Sequence, residues 1–178
     1  MTREAVTQNL GTSVSASLKK RATISNEANC DYFISLHCNA GGGTGSEVLV
    51  LKKGAKAEQL ATHILTRLTS RLNLRSRGVK EANLAVLRDT IAPAVLVEMA
   101  FLDNSSDATL IKQKPYEFAD AICEGTLEFL GISVTPSISE MQSVLAGKWG
   151  LSHPEEVFRL LDAHPYREEL YKKIYNSY

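Results

Sequence analysis

Short, continuously apolar runs alternate along this chain with segments of helical periodicity, and that alternation constrains the fold more than any other feature. Asp31-Tyr-Phe-Ile-Ser-Leu-His37 is too short and too evenly apolar for a surface helix, so it predicts a buried strand that ends before the run Gly41-Gly-Gly. Glu47-Val-Leu-Val-Leu51 is a second β-rich run, and residues 84–87 form a short strand candidate. Ala94-Val-Leu-Val97 is a stronger candidate, because Pro93 stands at its start, where a missing N–H is tolerated. Between these runs lie sequences with a period near 3.6. Residues 5–29 carry Val6, Leu10, Val14, Leu18 and Ile24, and residues 56–74 carry Leu60, Ile64, Leu65, Leu68 and Leu72 on one face. Beyond Asp103-Asn-Ser-Ser, helical sequence begins around Ala108. A longer helix over 116–130 buries Phe118, Ile122, Leu127 and Phe129, with Gly131 placed to close it. The expected architecture is α/β, a mixed and mostly parallel sheet flanked by helices.

The texture changes after Gly131. Ile132-Ser-Val-Thr-Pro-Ser-Ile-Ser reads as a linker, and three short helices are expected over 140–148, 154–163 and 165–175. The expected division is therefore a domain over residues 1–133 and a small helical appendage over 134–178. Trp149, Tyr166, Tyr171, Tyr175 and Tyr178 make the appendage aromatic-rich. They serve either as its core or as a face for sugar stacking or self-association through the C-terminal helices.

Composition removes several function classes. At 178 residues, 44% hydrophobic and 22% charged, the chain is a globular protein with room for one ordinary domain and an appendage. Twenty basic and twenty acidic residues cancel, so bulk charge supplies no case for nucleic acid or an anionic membrane surface. The longest apolar stretch, residues 92–100 around Glu98, is too short to span a bilayer, and no apolar signal segment is visible near Met1. Cys30, Cys38 and Cys123 are an odd number without a framework spacing, which points to synthesis in a reducing compartment.

Two of the expected strands end in ionisable residues, where sites gather in open α/β sheets. Glu98 closes a run as apolar as Ala94-Val-Leu-Val97. A carboxylate there either trades protons, with a pKa raised by desolvation, or is held in a structural pair. His37 shares a strand face with Phe33 and Ser35, either as a satisfied core residue or as a metal ligand. A hydrolytic zinc takes three protein ligands and leaves a place for water. His63, on a helix, and His153 and His164, beside prolines in the appendage, are poor partners for His37. No Gly-x-Ser-x-Gly elbow supports a serine hydrolase.

The stretch Asn29-Cys-Asp-Tyr-Phe-Ile-Ser-Leu-His37-Cys-Asn39-Ala40 resembles the signature "AN…aDlfiSiHaNA" of the zinc amidases that cleave between N-acetylmuramic acid and L-alanine. Thr2-Arg3 is similar to the family's "LTR", and Gly45-Ser-Glu47 to "GvE". Arg77-Gly-Val-Lys80 with Leu84-Ala-Val-Leu-Arg88 is similar to "rGvk…l.VLr", and the stretch from Pro93 to Asn104 to "PAVLvElGFisN". The resemblance implies Zn2+ as cofactor, peptidoglycan as partner, His37 as the third zinc ligand and Glu98 as the catalytic glutamate. It also implies action at the cell wall, by a route that is phage-lysin-like or secretory. Asn39 is then a loop-shaping or substrate-touching residue, and Glu47 a partner for a basic neighbour.

The sequence departs from the family pattern in two ways. The "DpGHGG" block with the first histidine, and the glutamate on the following helix, precede the "LTR" position, and residues 1–178 contain neither. The expectation is an amino-terminally incomplete domain with impaired zinc binding and an open hydrophobic sheet edge. The family's "ElGF" is here Glu98-Met-Ala-Phe101. The competing expectation is a binding or regulatory fragment that keeps the substrate groove without the chemistry.

Overall fold

The computed structural model describes residues 13–132 and, beyond them, residues 142, 145–147, 158, 159 and 162. The chain divides into two compact units, Met1–Ser133 and Val134–Tyr178. In the first unit, helix α1 spans Val14–Glu27 and begins at Ser13, whose side chain accepts the Ala16 N–H at 3.1 Å. Strand β1 (Phe33–Asn39) and strand β2 (Ser46–Val50) follow. Helix α2 (Lys56–Leu72) closes on Asn73 in the left-handed conformation, φ 51°. Strand β3 (Ser76–Glu81), the single-turn helix α3 (Ala85–Arg88) and strand β4 (Ala94–Phe101) come next. Helix α4 (Ser105–Gln113) is capped by Asn104, and helix α5 (Pro115–Phe129) carries Pro115 in its first turn.

The strands form one sheet in the order β1-β4-β2-β3. The β1–β4 and β2–β3 pairs are parallel and the β2–β4 pair is antiparallel, so the sheet is mixed. Alternation along the strands sends two sets of side chains to opposite faces. Val48, Val50, Val95 and Val97 meet Leu60, Ile64 and Leu68 of α2 and Phe118, Ala121 and Ile122 of α5. On the other face Phe33, Ala94 and Leu96 meet Leu18 of α1, Leu49 of β2, and Val86 and Leu87 of α3. Each such fully buried aliphatic side chain contributes roughly 1.5–3 kcal/mol over its exposed state. The result is three layers, with the sheet in the middle.

Residues 84–87 are not a strand. They enter helix α3, whose apolar Val86 and Leu87 close the smaller core. Four apolar residues are too few for periodicity to separate the two states. The strand in this region is instead β3, whose sequence Ser-Arg-Gly-Val-Lys-Glu lies at the sheet edge and carries little apolar signal. β1 continues past His37 to Asn39, and β4 past Glu98 to Phe101, so both residues stand inside strands rather than at their ends. Gly131, φ 68°, follows α5 as expected, its N–H bonded to Glu128 O at 3.0 Å. The helical start expected before residue 13 lies outside the described residues, as does most of the appendage.

At Gly125, α5 packs directly on the backbone of α2. A Cβ placed there would lie 2.6 Å from Ile64 Cα and 2.8 Å from His63 O. Outside this contact, Arg71 bonds Asp120 at 2.8 Å and Glu124 at 2.5 Å, and Arg67 bonds Glu128. These exposed pairs are each worth well under about 1 kcal/mol, so packing dominates the contact. Gly125→Ala is expected to lower stability by roughly 1–3 kcal/mol, because the α2 backbone must retreat, outweighing a helix-propensity gain of about 1 kcal/mol. Denaturant unfolding followed by circular dichroism tests this; an unchanged or raised midpoint would show that the helices part at little cost.

Candidate functional site

The site is a row of polar side chains running across the sheet on the face that carries α1 and α3. His37 of β1 is the register partner of Glu98 of β4, and Glu98 is the register partner of Glu47 of β2. Directly opposed residues share a face, with Cβ atoms about 5 Å apart. The two expected site residues are thus brought side by side, and a second carboxylate joins them.

The two carboxylates have opposite surroundings. Glu47 is 7% exposed. Its Oε2 accepts Arg77 Nε at 2.7 Å and Lys80 Nζ at 2.5 Å, and its Oε1 accepts Asn39 Nδ2 at 3.1 Å. Burial pushes the Glu47 pKa up, but hydrogen bonds and charge from Lys80 and Arg77 prevail and hold it below the usual glutamate value. Glu98 has no such cations among the described residues. Its Oε2 is buried without a hydrogen-bond partner among the described residues. Burial first, and the negative charge of Glu47 second, raise its pKa.

His37 Nε2 lies 3.1 Å from Ser35 Oγ. Burial and the nearby Arg21 charge lower the His37 pKa, which favours the neutral imidazole, the form that can ligate a metal. Cys38 is shifted the other way, by burial and then by Glu98, so the thiol form is favoured and a thiolate ligand is not. Ala22 and Ser25 of α1 are buried, and Arg21 Nε and Ser25 Oγ, like Glu98 Oε2, are buried polar atoms without a hydrogen-bond partner among the described residues.

The loop after His37 is shaped from a distance. Asp103 Oδ2 accepts the N–H groups of Gly41 at 2.6 Å and Gly42 at 2.8 Å, which holds its carboxyl below the usual aspartate value. Asp107, 3% exposed in the first turn of α4, accepts Thr44 Oγ1 and the Gly45 N–H at 2.9 Å each and the Phe101 N–H at 3.0 Å. Asn39 adds a local brace, its Oδ1 accepting the Ala40 N–H at 2.8 Å.

His63 does not join the row. It lies on α2, against the opposite face of the sheet, 3.7 Å from Glu128 and beside Phe129. His153 and His164 fall outside the described residues. Among the described residues, no group of three His, Cys, Asp or Glu side chains could hold a metal ion. The sequence reading assigned no role to Arg21, Arg77, Lys80, Asp103 or Asp107. Arg77, Lys80 and Asp103 lie inside the blocks that carry the resemblance, which was the available signal. Asp107→Ala is expected to cost about 3 kcal/mol, because it orphans two buried backbone donors at once. Thermal unfolding measures the loss; one under about 0.5 kcal/mol, the range of an ordinary surface change, would show that the loop keeps its shape without the carboxylate.

The N-acetylmuramoyl-L-alanine amidase family matches residues 1–128. Among curated proteins the chain is similar to the N-acetylmuramoyl-L-alanine amidase CwlM of Bacillus licheniformis, with 39% identity over 101 residues, 56% of this chain and 40% of that one. It is also similar to the endolysin of Bacillus phage SPP1, with 36% identity over 122 residues, 63% of this chain and 45% of that one. The chain therefore spans under half the length of either relative. Of solved structures, the N-acetylmuramoyl-L-alanine amidase from Clostridium difficile 630 superposes with TM-score 0.61 and 33% identity, covering 65% of this chain and 66% of that one. The catalytic domain of the CD27L endolysin gives TM-score 0.60 and 30% identity, covering 70% and 67%. With the family matched across most of its length, the chain belongs to the N-acetylmuramoyl-L-alanine amidases.

Proposed function

We propose that this protein is a peptidoglycan hydrolase that cleaves the amide bond between N-acetylmuramic acid and L-alanine, with Glu98 as the proton-transferring residue and His37 as a zinc ligand. The observation that carries the proposal is the buried Oε2 of Glu98, without a hydrogen-bond partner among the described residues and on the register partner of a histidine favoured in its neutral form. A buried carboxylate oxygen left without a donor is costly unless a ligand or a proton completes it. Glu98 is suited to accept a proton from an attacking water and pass it to the departing amine of the stem peptide. Residues 1–133 would form the catalytic domain and residues 134–178 a small helical one, acting together at the cell wall. The described residues by themselves do not make a complete zinc site: they offer His37, and a hydrolytic zinc needs two further protein ligands.

The test uses the full chain, supplied with zinc, and purified peptidoglycan, with release of free amino groups as the readout. Glu98→Gln keeps the shape of the side chain and removes the proton acceptor, so hydrolysis is expected to fall by roughly 10²–10⁴-fold with unchanged circular dichroism. Activity within about twofold of the parent, too little for any general acid–base role, would remove Glu98 from the chemistry. His37→Ala is expected to reduce the zinc retained after dialysis against metal-free buffer, read by elemental mass spectrometry. Zinc retained by the parent and equally by the variant would show that His37 is not a ligand.

A further inference from the structure

β3 pairs irregularly with β2. Ser46 faces Ser76, yet Val48 faces Val79, so one additional β3 residue is taken up between them. Gly78 lies in this bulge with φ 83°, a conformation in which an L side chain is strained. The bulge decides where two cations point. In an unbroken strand, residues three apart face opposite sides of the sheet, and Arg77 and Lys80 would diverge. Here both reach the same atom, Glu47 Oε2, at 2.7 and 2.5 Å.

Two cations on one carboxylate leave a net positive charge beside the site. Arg77 reaches Glu47 through Nε, and its guanidinium carbon lies 4.9 Å from the centroid of the Phe101 ring, which fixes its plane. Its two terminal nitrogens make no hydrogen bond among the described residues, and Lys80 Nζ has donors to spare beyond Glu47. Both side chains meet solvent, at 28% and 44% exposure. They stand on the side of Glu98 away from His37, within two strand spacings of it, roughly 10 Å. An extended peptide advances about 3.4 Å per residue, so a carboxylate within the first three residues after the cleaved bond reaches them.

We propose that Arg77 and Lys80, converged by the Gly78 bulge and anchored on Glu47, form a carboxylate-binding subsite for an acidic residue of the peptide attached at the cleaved bond. The proposal rests on the amidase reading of the same site. A planar guanidinium edge beside an ammonium matches a carboxylate in shape, and one excess charge matches a single monoanion. Glu47 is the positioning residue of the subsite. It holds the cations in place, and it lies between them and Glu98.

The experiment is calorimetric titration of the full chain at low salt with two probes that differ by one charge, N-acetylmuramoyl-L-alanyl-D-glutamate with only its side-chain carboxyl amidated, and the corresponding diamide. The acid is expected to bind about tenfold tighter than the diamide, as one charge-assisted contact provides. Lys80→Gln, a change at a half-exposed position, is expected to erase most of that preference. Equal affinity of the parent chain for both probes would overturn the subsite and leave the amidase reading standing. Binding of neither probe would overturn both. The ratio in the parent chain decides the matter even if the variant fails to fold.

Discussion

Two carboxylates, Glu47 and Glu98, oppose each other on adjacent antiparallel strands, and the organisation of the site follows from how that conflict is resolved. Like charges directly opposite destabilise a strand pair. The resolution is lopsided. Glu47 receives Arg77, Lys80 and the Asn39 amide, whereas Glu98 receives no cation and keeps one oxygen unpaired among the described residues. The same two side-chain types are thereby pushed in opposite directions, one held ionised and the other drawn towards protonation. Separation of this kind divides labour between paired carboxylates. β4 is the element that makes it work, because its pairings place Glu98 between the histidine of one neighbour and the ion cluster of the other.

The elements legible in the sequence are those with the clearest apolar patterns, even where burial is partial: β1 is an edge strand with Leu36 and His37 exposed rather than the buried strand expected. β1, β2 and β4 are continuous apolar runs, and α2 carries its buried leucines and isoleucine at regular helical intervals. β3 was illegible for a physical reason: an edge strand with one paired side needs few apolar residues, and its glycine reads as a turn. The 84–87 run misled because four apolar residues fit a strand and a helical turn equally well. At the site, His37 and Glu98 were visible through motif resemblance and strand position. Arg77 and Lys80 lie in a motif block as well, but their convergence depends on a bulge that spacing alone hides. Asp107 was hidden more deeply. Its partners are mostly backbone N–H groups, which leave no mark on the sequence.

The two faces of the sheet carry different duties. The α2 and α5 face holds the larger apolar core and is drawn close at Gly125, with charged pairs only at its rim. The α1 and α3 face has a smaller apolar cluster, and the polar row occupies the rest of that surface. Uncompensated polar atoms are affordable on the second face because the first supplies most of the hydrophobic stabilisation.

The loop that follows His37 is tied down by partners 61 to 63 residues away in sequence. Contacts of that span form only after a long segment of chain has closed, and their entropy is lost before any bond repays it. The loop and the histidine it steadies are therefore expected to be late arrivals in folding, assembled after β4 has taken its place and α4 has started. A nascent or half-folded molecule would then hold its sheet before it holds its site. For the hydrolase proposed above, this ordering is a form of temporal restraint written into the topology.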